Sequence, residues 1–411
     1  MRSLPLANLL HHKVGSAFSA MGIGIGVCMM VTLGGLSRGI VYEIADRWEG
    51  VDADLIVYPR KVGESVTMLT GAGISDRYEE VLPQKYPGKI TRITPVFLWQ
   101  MRLAGQSQMV AGITNKDMDV ITGGAKAVAG KNSFSPTIPW QQLMDRTEKS
   151  QRLAYVRIHG NEDDFVFDPQ PHDLRKAGWL EMIIDERLAS AGNYAPGDTV
   201  EAAGATWTIA GIVPAGVLSR VIIPRRTAQY LFGGSVEQST ILFIKLVSDE
   251  PPGPVARQLA DDLQQQVVPL AAYREMLLKQ FGVFFVYVDA VNTVAIIIAV
   301  LFIMVVLYTM VLQRSREIAI LKSFGSTNRF IVTQVLTEAM ILTVTGAIIG
   351  ISLALLSGWL IGKFMPLMTV SITPQWMAAG LAAAVFGALI SAIYPAWRAT
   401  RVDMLGALTY E

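Results

Sequence analysis

Between residues 159 and 173 the chain gathers side chains that bind divalent metals: His159, Glu162, Asp163, Asp164, Asp168, His172 and Asp173. Oxygen and imidazole donors suit several such ions, but their spacing here fixes no ligand set. The stretch is acidic and broken by Gly160, Pro169 and Pro171, so a solvated acidic loop is expected and no metal is assigned. Residues 124–132, Gly-Ala-Lys-Ala-Val-Ala-Gly-Lys-Asn, approach a phosphate-cradling loop. They hold one residue too many between the glycines, and Asn132 stands where a Ser or Thr must hold Mg²⁺. The run GIGIGV at 22–27 lacks a preceding strand and a following ribose-binding acid, and close helix packing in a membrane suits its glycines better. The single cysteine, Cys28, lies inside an apolar run and allows no intrachain disulfide. No nucleophile–base arrangement can be read from the order of residues.

The stretch with the strongest functional pattern is 313–351. It opens with Arg314, Arg316 and Glu317, continues as the amphipathic piece IAILKSFG closed by Gly325, and climbs back into an apolar run. Two apolar runs joined by a short basic turn predict two membrane helices with a compact elbow. A plain connector explains the elbow's shortness but not its alternation of apolar and charged residues. Such a segment offers Ile318, Ile320, Leu321 and Phe324 to another protein, with Arg316, Glu317 and Lys322 at the rim. Glu338, near the start of the next apolar run, is expected as an interfacial carboxylate capping charge from Arg329 or a neighbouring chain. Gly346 with Gly350, and Gly358 with Gly362, place small residues on one helix face for packing or for a dimer.

The elements that position these residues follow from composition. Of 411 residues 51% are hydrophobic, and mean hydropathy is +0.38. That mixture predicts a few membrane spans plus a large water-facing domain. A net charge of +1 argues against a nucleic-acid binder. Residues 1–13 read as an amphipathic surface helix and 14–37 as span one. Residues 38–282 read as a stalk and a domain, 283–313 as stalk end and span two, and 314–329 as the elbow. Span three covers 330–362, a turn 363–375, span four 376–395 ended by Pro395, and a tail 396–411. Within the large domain, runs at 53–58, 90–94, 96–103, 109–113, 154–159, 180–184, 199–203, 206–213, 217–223 and 241–247 predict strands. Segments 76–84, 140–147, 185–191, 225–232 and 255–267 predict helices, so the domain is α+β. Residues 273–285 return at helical spacing and are expected to pair with 40–48. Basic residues at the elbow and both ends, against Lys363 alone in the other turn, place termini and elbow in the cytoplasm and the large domain outside.

Arg316 to Gly325, REIAILKSFG, resembles a signature of the MacB/FtsX family of ABC transporter permeases. Leu336-Thr337-Glu338-Ala339 with Gly346 and Gly350 is similar to the family's second signature. AIYPAWRATR at 392–401, followed by LGAL at 405–408, is similar to its third. In the large domain IIDERLA at 183–189, PGDTV at 196–200 and WTIAGIV at 207–213 resemble the MacB-type periplasmic core, whose two lobes would meet here near 130–139. Ile223 to Ala228 fits the continuation of that pattern.

The resemblance implies four transmembrane helices, with the α+β domain inserted extracytoplasmically between spans one and two. It implies an inner-membrane permease subunit, not itself an enzyme, whose elbow (Arg316, Glu317, Ile318, Ile320, Leu321, Lys322, Phe324 and Gly325) seats in a cytoplasmic ABC ATPase. ATP and Mg²⁺ would be used by that partner and no cofactor held by this chain. A second permease copy or paralogue, a periplasmic adaptor and membrane lipid are the other partners implied. Export or extraction of a periplasmic or membrane-embedded substrate is the expected function. The alternatives are a signalling subunit that activates a periplasmic hydrolase, a lipoprotein-releasing subunit, and a membrane-anchored enzyme centred on 159–173.

Overall fold

The computed structural model describes residues 13–60, 73–159, 171–233, 237–248 and 250–401. The expected amphipathic entry, most of the acidic loop and the LGAL segment lie outside them. Two compact units divide the chain: Met1–Val41 with Phe281–Glu411, and Tyr42–Gln280.

The first unit is helical. Its elements are α1 (Lys13–Glu49, whose last residues belong to the second unit), α2 (Gly282–Gln313), α3 (Ser315–Ser323), α4 (Asn328–Phe364) and α5 (Pro374–Thr400). All but α3 are long and apolar enough to cross a membrane, with mean hydropathies of 1.8, 3.0, 2.3 and 2.0 over their best windows. Many large apolar side chains stay exposed, such as Val286, Ile298 and Val305 on α2. That is the expected surface of a helix facing lipid, since hydrocarbon demands internal backbone bonding but no polar face. Inside, Ile23, Val27 and Val31 meet Ile303, Leu342 and Ala388.

Glycines set the helix spacing. A Cβ on Gly350 would lie 2.5 Å from the Gly24 carbonyl oxygen, and one on Gly346 2.7 Å from that of Ala20. The pair thus seats α4 against α1 within one chain. A Cβ on Gly358 would meet Ile372 at 2.9 Å, whereas nothing lies within 4 Å of one on Gly362. The turn after α4 also folds back on α1, where Ser371 N donates to Gly35 O (3.0 Å).

Helix α5 does not end at Pro395 but continues to Thr400. Pro395 forfeits one backbone bond, yet Ala396 and Ala399 beyond it are buried against Val311, Ile318 and Val335, and that packing carries the helix on.

The second unit is built on a mixed ten-stranded sheet in the order β12-β1-β11-β3-β4-β9-β6-β8-β5, with β7 on β8. The strands are β1 (Leu55–Tyr58), β2 (Ile74–Ser75), β3 (Ile90–Leu103), β4 (Gln106–Ile113), β5 (Ala129–Gly130) and β6 (Glu181–Asp185). They continue as β7 (Thr199–Ala202), β8 (Ala205–Val213), β9 (Val221–Pro224), β10 (Gln238–Ser239), β11 (Ile241–Leu246) and β12 (Gln266–Pro269). β2 and β10 form a separate pair. β3 joins the two halves: its residues 90–96 pair with β11, and Phe97–Leu103 with β4. The change of partner falls there, and 130–139 divides no sheet. Ala104 and Gly105, both at positive φ, close the β3–β4 hairpin, and Gly197 (φ +95°) makes the expected Pro-Gly-Asp turn.

Residues 154–159 are not a strand. They complete the helix Trp140–His159, which propagates past the alternating run because no breaker precedes Gly160. The expected helix 255–267 stops at Leu263, and its end became β12. The pairing of the returning helix is found at Trp48 and Tyr273, whose rings lie 4.8 Å apart. That helix, Leu270–Gln280, is separate from α2.

Candidate functional site

The elbow is a formed helix, α3, and its faces sort the expected residues. Ile318 and Ala319 are buried, Ile318 among Val311, Ile331 and Val335. Ile318 therefore anchors the helix and is withdrawn from any outside contact. Lys322 Nζ donates to the carbonyl oxygen of Thr400 (2.7 Å), capping the end of α5, so its charge is spent within the chain. Leu321 is half-buried against a cleft. Arg316, Glu317 and Ile320 face out, and Phe324 is 84% exposed. Gly325 (φ +89°) terminates α3: its N–H donates to Lys322 O (2.9 Å) and Ser326 N–H to Leu321 O (3.1 Å), a paired capping turn that needs a left-handed residue. Thr327 then accepts from Phe330 N–H and starts α4.

Behind α3, Arg314 Nη1 donates to Glu338 Oε1 at 2.8 Å, with the two side chains 8% and 7% exposed. Glu338 is thus bound to Arg314 at the end of α2, not to Arg329. Arg314 Nη2 is buried and has no hydrogen-bond partner among the described residues. It lines a cleft together with Glu317, Leu321, Gln334 and Glu338.

The second unit holds a charged cluster that sequence reasoning missed. Glu43, on the last turns of α1, accepts from Arg47 (2.7 Å), Arg187 (2.9 Å) and Arg220 (3.1 Å). Arg47 also donates to Asp185 (3.2 Å) and to the Val217 carbonyl (3.1 Å). Asp185, fully buried, accepts from Leu188 N–H (2.8 Å) and caps the helix Glu186–Gly192. Burial, then the neighbouring Arg47 charge, lowers the Arg220 pKa against the pull of both carboxylates. The Glu43–Arg47 spacing of four was the one available signal, since the other members come from distant strands and loops.

The remaining candidates disperse. Gly124 and Gly130 sit at positive φ, but β5 leads into no helix whose N-terminus would face a phosphate. Asn132 instead reaches back to the Ala125 carbonyl (3.4 Å). Gly24 and Gly26 pack inside the helical unit. Among the described residues no cluster of His, Cys, Asp and Glu has metal-binding geometry, and the 160–170 stretch lies outside them.

Two family models match the chain. A MacB-like periplasmic core domain covers residues 16–262, and an FtsX-like permease C-terminal region covers 290–404. The macrolide export ATP-binding/permease protein MacB of Bdellovibrio bacteriovorus is 24% identical over 432 aligned residues, covering 98% of this chain and 60% of that protein. The ABC transporter permease YknZ of Bacillus subtilis is 25% identical over 221 residues, 52% of this chain and 55% of YknZ. The pyoverdine export ATP-binding/permease protein PvdT of Pseudomonas fluorescens is 32% identical over 122 residues, 30% of this chain and 18% of PvdT. The chain therefore spans about 60% or less of the length of these relatives.

Proposed function

The chain belongs to the MacB/FtsX family of ABC transporter permeases, and from that premise we propose that it is a membrane subunit through which a separate ATPase drives a periplasmic domain. The observation that carries this reading is the two-faced α3. Ile318 fixes the helix to the ends of α2, α4 and α5, while Phe324, Ile320 and Arg316 are exposed on the other side. A rigidly seated helix with an exposed aromatic anchor and a charged rim is the physical form of a small docking surface. The basic residues around it favour a cytoplasmic position, which would put the sheet domain on the other side of the membrane. ATP and Mg²⁺ belong to the ATPase in this scheme, and a second permease copy completes the machine. Two relatives, a macrolide export protein and a pyoverdine export protein, favour outward movement of a substrate.

Phe324→Asp tests the docking face without touching the buried one. Co-expressed with the ATPase, it should lower ATPase co-purification about tenfold or more, as loss of an interface anchor does, while membrane insertion persists. Normal ATPase recovery and normal coupled hydrolysis in this variant would remove α3 from the mechanism.

A further inference from the structure

The cleft behind α3 carries an unanswered hydrogen-bond donor. Arg314 is held at one nitrogen by Glu338, but Nη2 is buried with no partner in a side chain only 8% exposed. A buried guanidinium N–H left without an acceptor is costly, so the cleft calls for a further acceptor oxygen. The cleft opens to the surface and is not lined by Arg314 alone. Glu317, which forms no ion pair with a described residue, and Gln334 face the same space. Among the described residues that line the cleft, Arg314 is the one cation, beside the carboxyls of Glu317 and Glu338. A bare anion is therefore a poor match, and so is a bare cation, which would leave Nη2 unanswered. A group that pairs an acceptor oxygen with a nearby ammonium satisfies both.

The position narrows the choice. Met310 and Ile331, on the walls, lie where the apolar runs of α2 and α4 give way to the charged elbow. In a membrane-spanning chain that is the depth of phospholipid headgroups. We infer that the cleft binds a phosphoethanolamine group, with a phosphate oxygen accepting from Arg314 Nη2 and the ammonium paired with Glu317. The inference rests on the helices crossing a membrane and not on the ATPase docking at α3. The group is supplied either by a membrane lipid or by free phosphoethanolamine.

The test uses the full chain, purified in detergent, stripped of lipid and offered equal amounts of phosphatidylethanolamine, phosphatidylglycerol and phosphatidylcholine. Native mass spectrometry reads which lipid is retained. Phosphatidylethanolamine should dominate, because glycerol offers no cation and choline no N–H donor. Glu317→Gln should reduce its advantage over phosphatidylglycerol about tenfold, the worth of one charge-assisted bond. Arg314→Lys keeps a charge for Glu338 but loses the second donor, and should weaken retention of all three lipids. Excess free phosphoethanolamine that displaces the lipid would assign the site to the soluble source; lipid that resists it would assign the site to the membrane. Either result keeps the chemistry. Equal retention of the three lipids, or a preference unchanged by Glu317→Gln, overturns the inference. The readout needs no ATPase, so it stands or falls apart from the docking test.

Discussion

Two buried charge clusters in this molecule are built on opposite terms. In the sheet unit, Glu43 and Asp185 share three arginines, and Arg47 is bonded at Nε, Nη1 and Nη2. At the end of the helical unit Arg314 donates to Glu338 and keeps one guanidinium nitrogen with no hydrogen-bond partner among the described residues. Buried ions are tolerated where hydrogen bonds satisfy the rest of each group. The first cluster meets that condition from within and is a fixed joint, tying the last turns of α1 to β6 and to the segment before β9. The second does not, and it borders a cleft.

The contrast can be broken by stability measurements on the full chain in detergent. Glu43→Ala removes the one carboxylate that three arginines share and should cost about 3–5 kcal/mol, read from thermal unfolding followed by tryptophan fluorescence. Glu338→Ala strands one arginine, beside a cleft that admits water, and should cost roughly 2 kcal/mol. The reverse order would mean that the bundle pair, not the Glu43 cluster, is the fixed joint. Packing gives a smaller, sharper pair. Gly350→Val forces a side chain against Gly24 and should cost about 1–3 kcal/mol, whereas Gly362→Val meets open space and should change stability by less than about 1 kcal/mol.

The smallest effect concerns a carboxyl that has hydroxyls where Asp185 has arginines. Asp117 is buried and accepts from Thr94 (3.2 Å) and Thr114 (2.5 Å). Burial, the largest influence, raises its pKa above the ordinary carboxylate value, although Thr114, Lys116 and Arg225 pull the other way. A raised folded pKa means stability fully present below the unfolded value and lost as pH rises through the folded one. Asp117→Asn should therefore flatten the fall in melting temperature across that window. An unchanged pH slope would show that the hydroxyls alone hold the carboxylate charged without cost.

Much of the fold was legible in order along the chain. The apolar runs marked four helices because crossing a bilayer needs only length and composition. Most strands of the sheet were marked by alternation and by turn residues such as those at 196–198. The failures were also physical. The run 154–159 alternates, but the helix begun at Trp140 absorbs it. Pro395 reads as a stop, but buried alanines beyond it hold the helix together. At the elbow the sequence marked an amphipathic segment but could not sort its faces, so Ile318, which is buried, and Lys322, which bonds to Thr400, stood beside the exposed Phe324.

The sequence by itself determined where apolar runs lie, how long they are, where charge collects and where glycine permits a left-handed turn. These are local properties, decided by a few neighbouring residues. Tertiary packing alone decided that Gly350 meets Gly24, that Arg314 finds Glu338 24 residues away, and that Glu43 collects arginines up to 177 residues distant. Such partners are chosen by which surfaces come to lie together once the helices and sheet have formed, and no spacing along the chain encodes that choice.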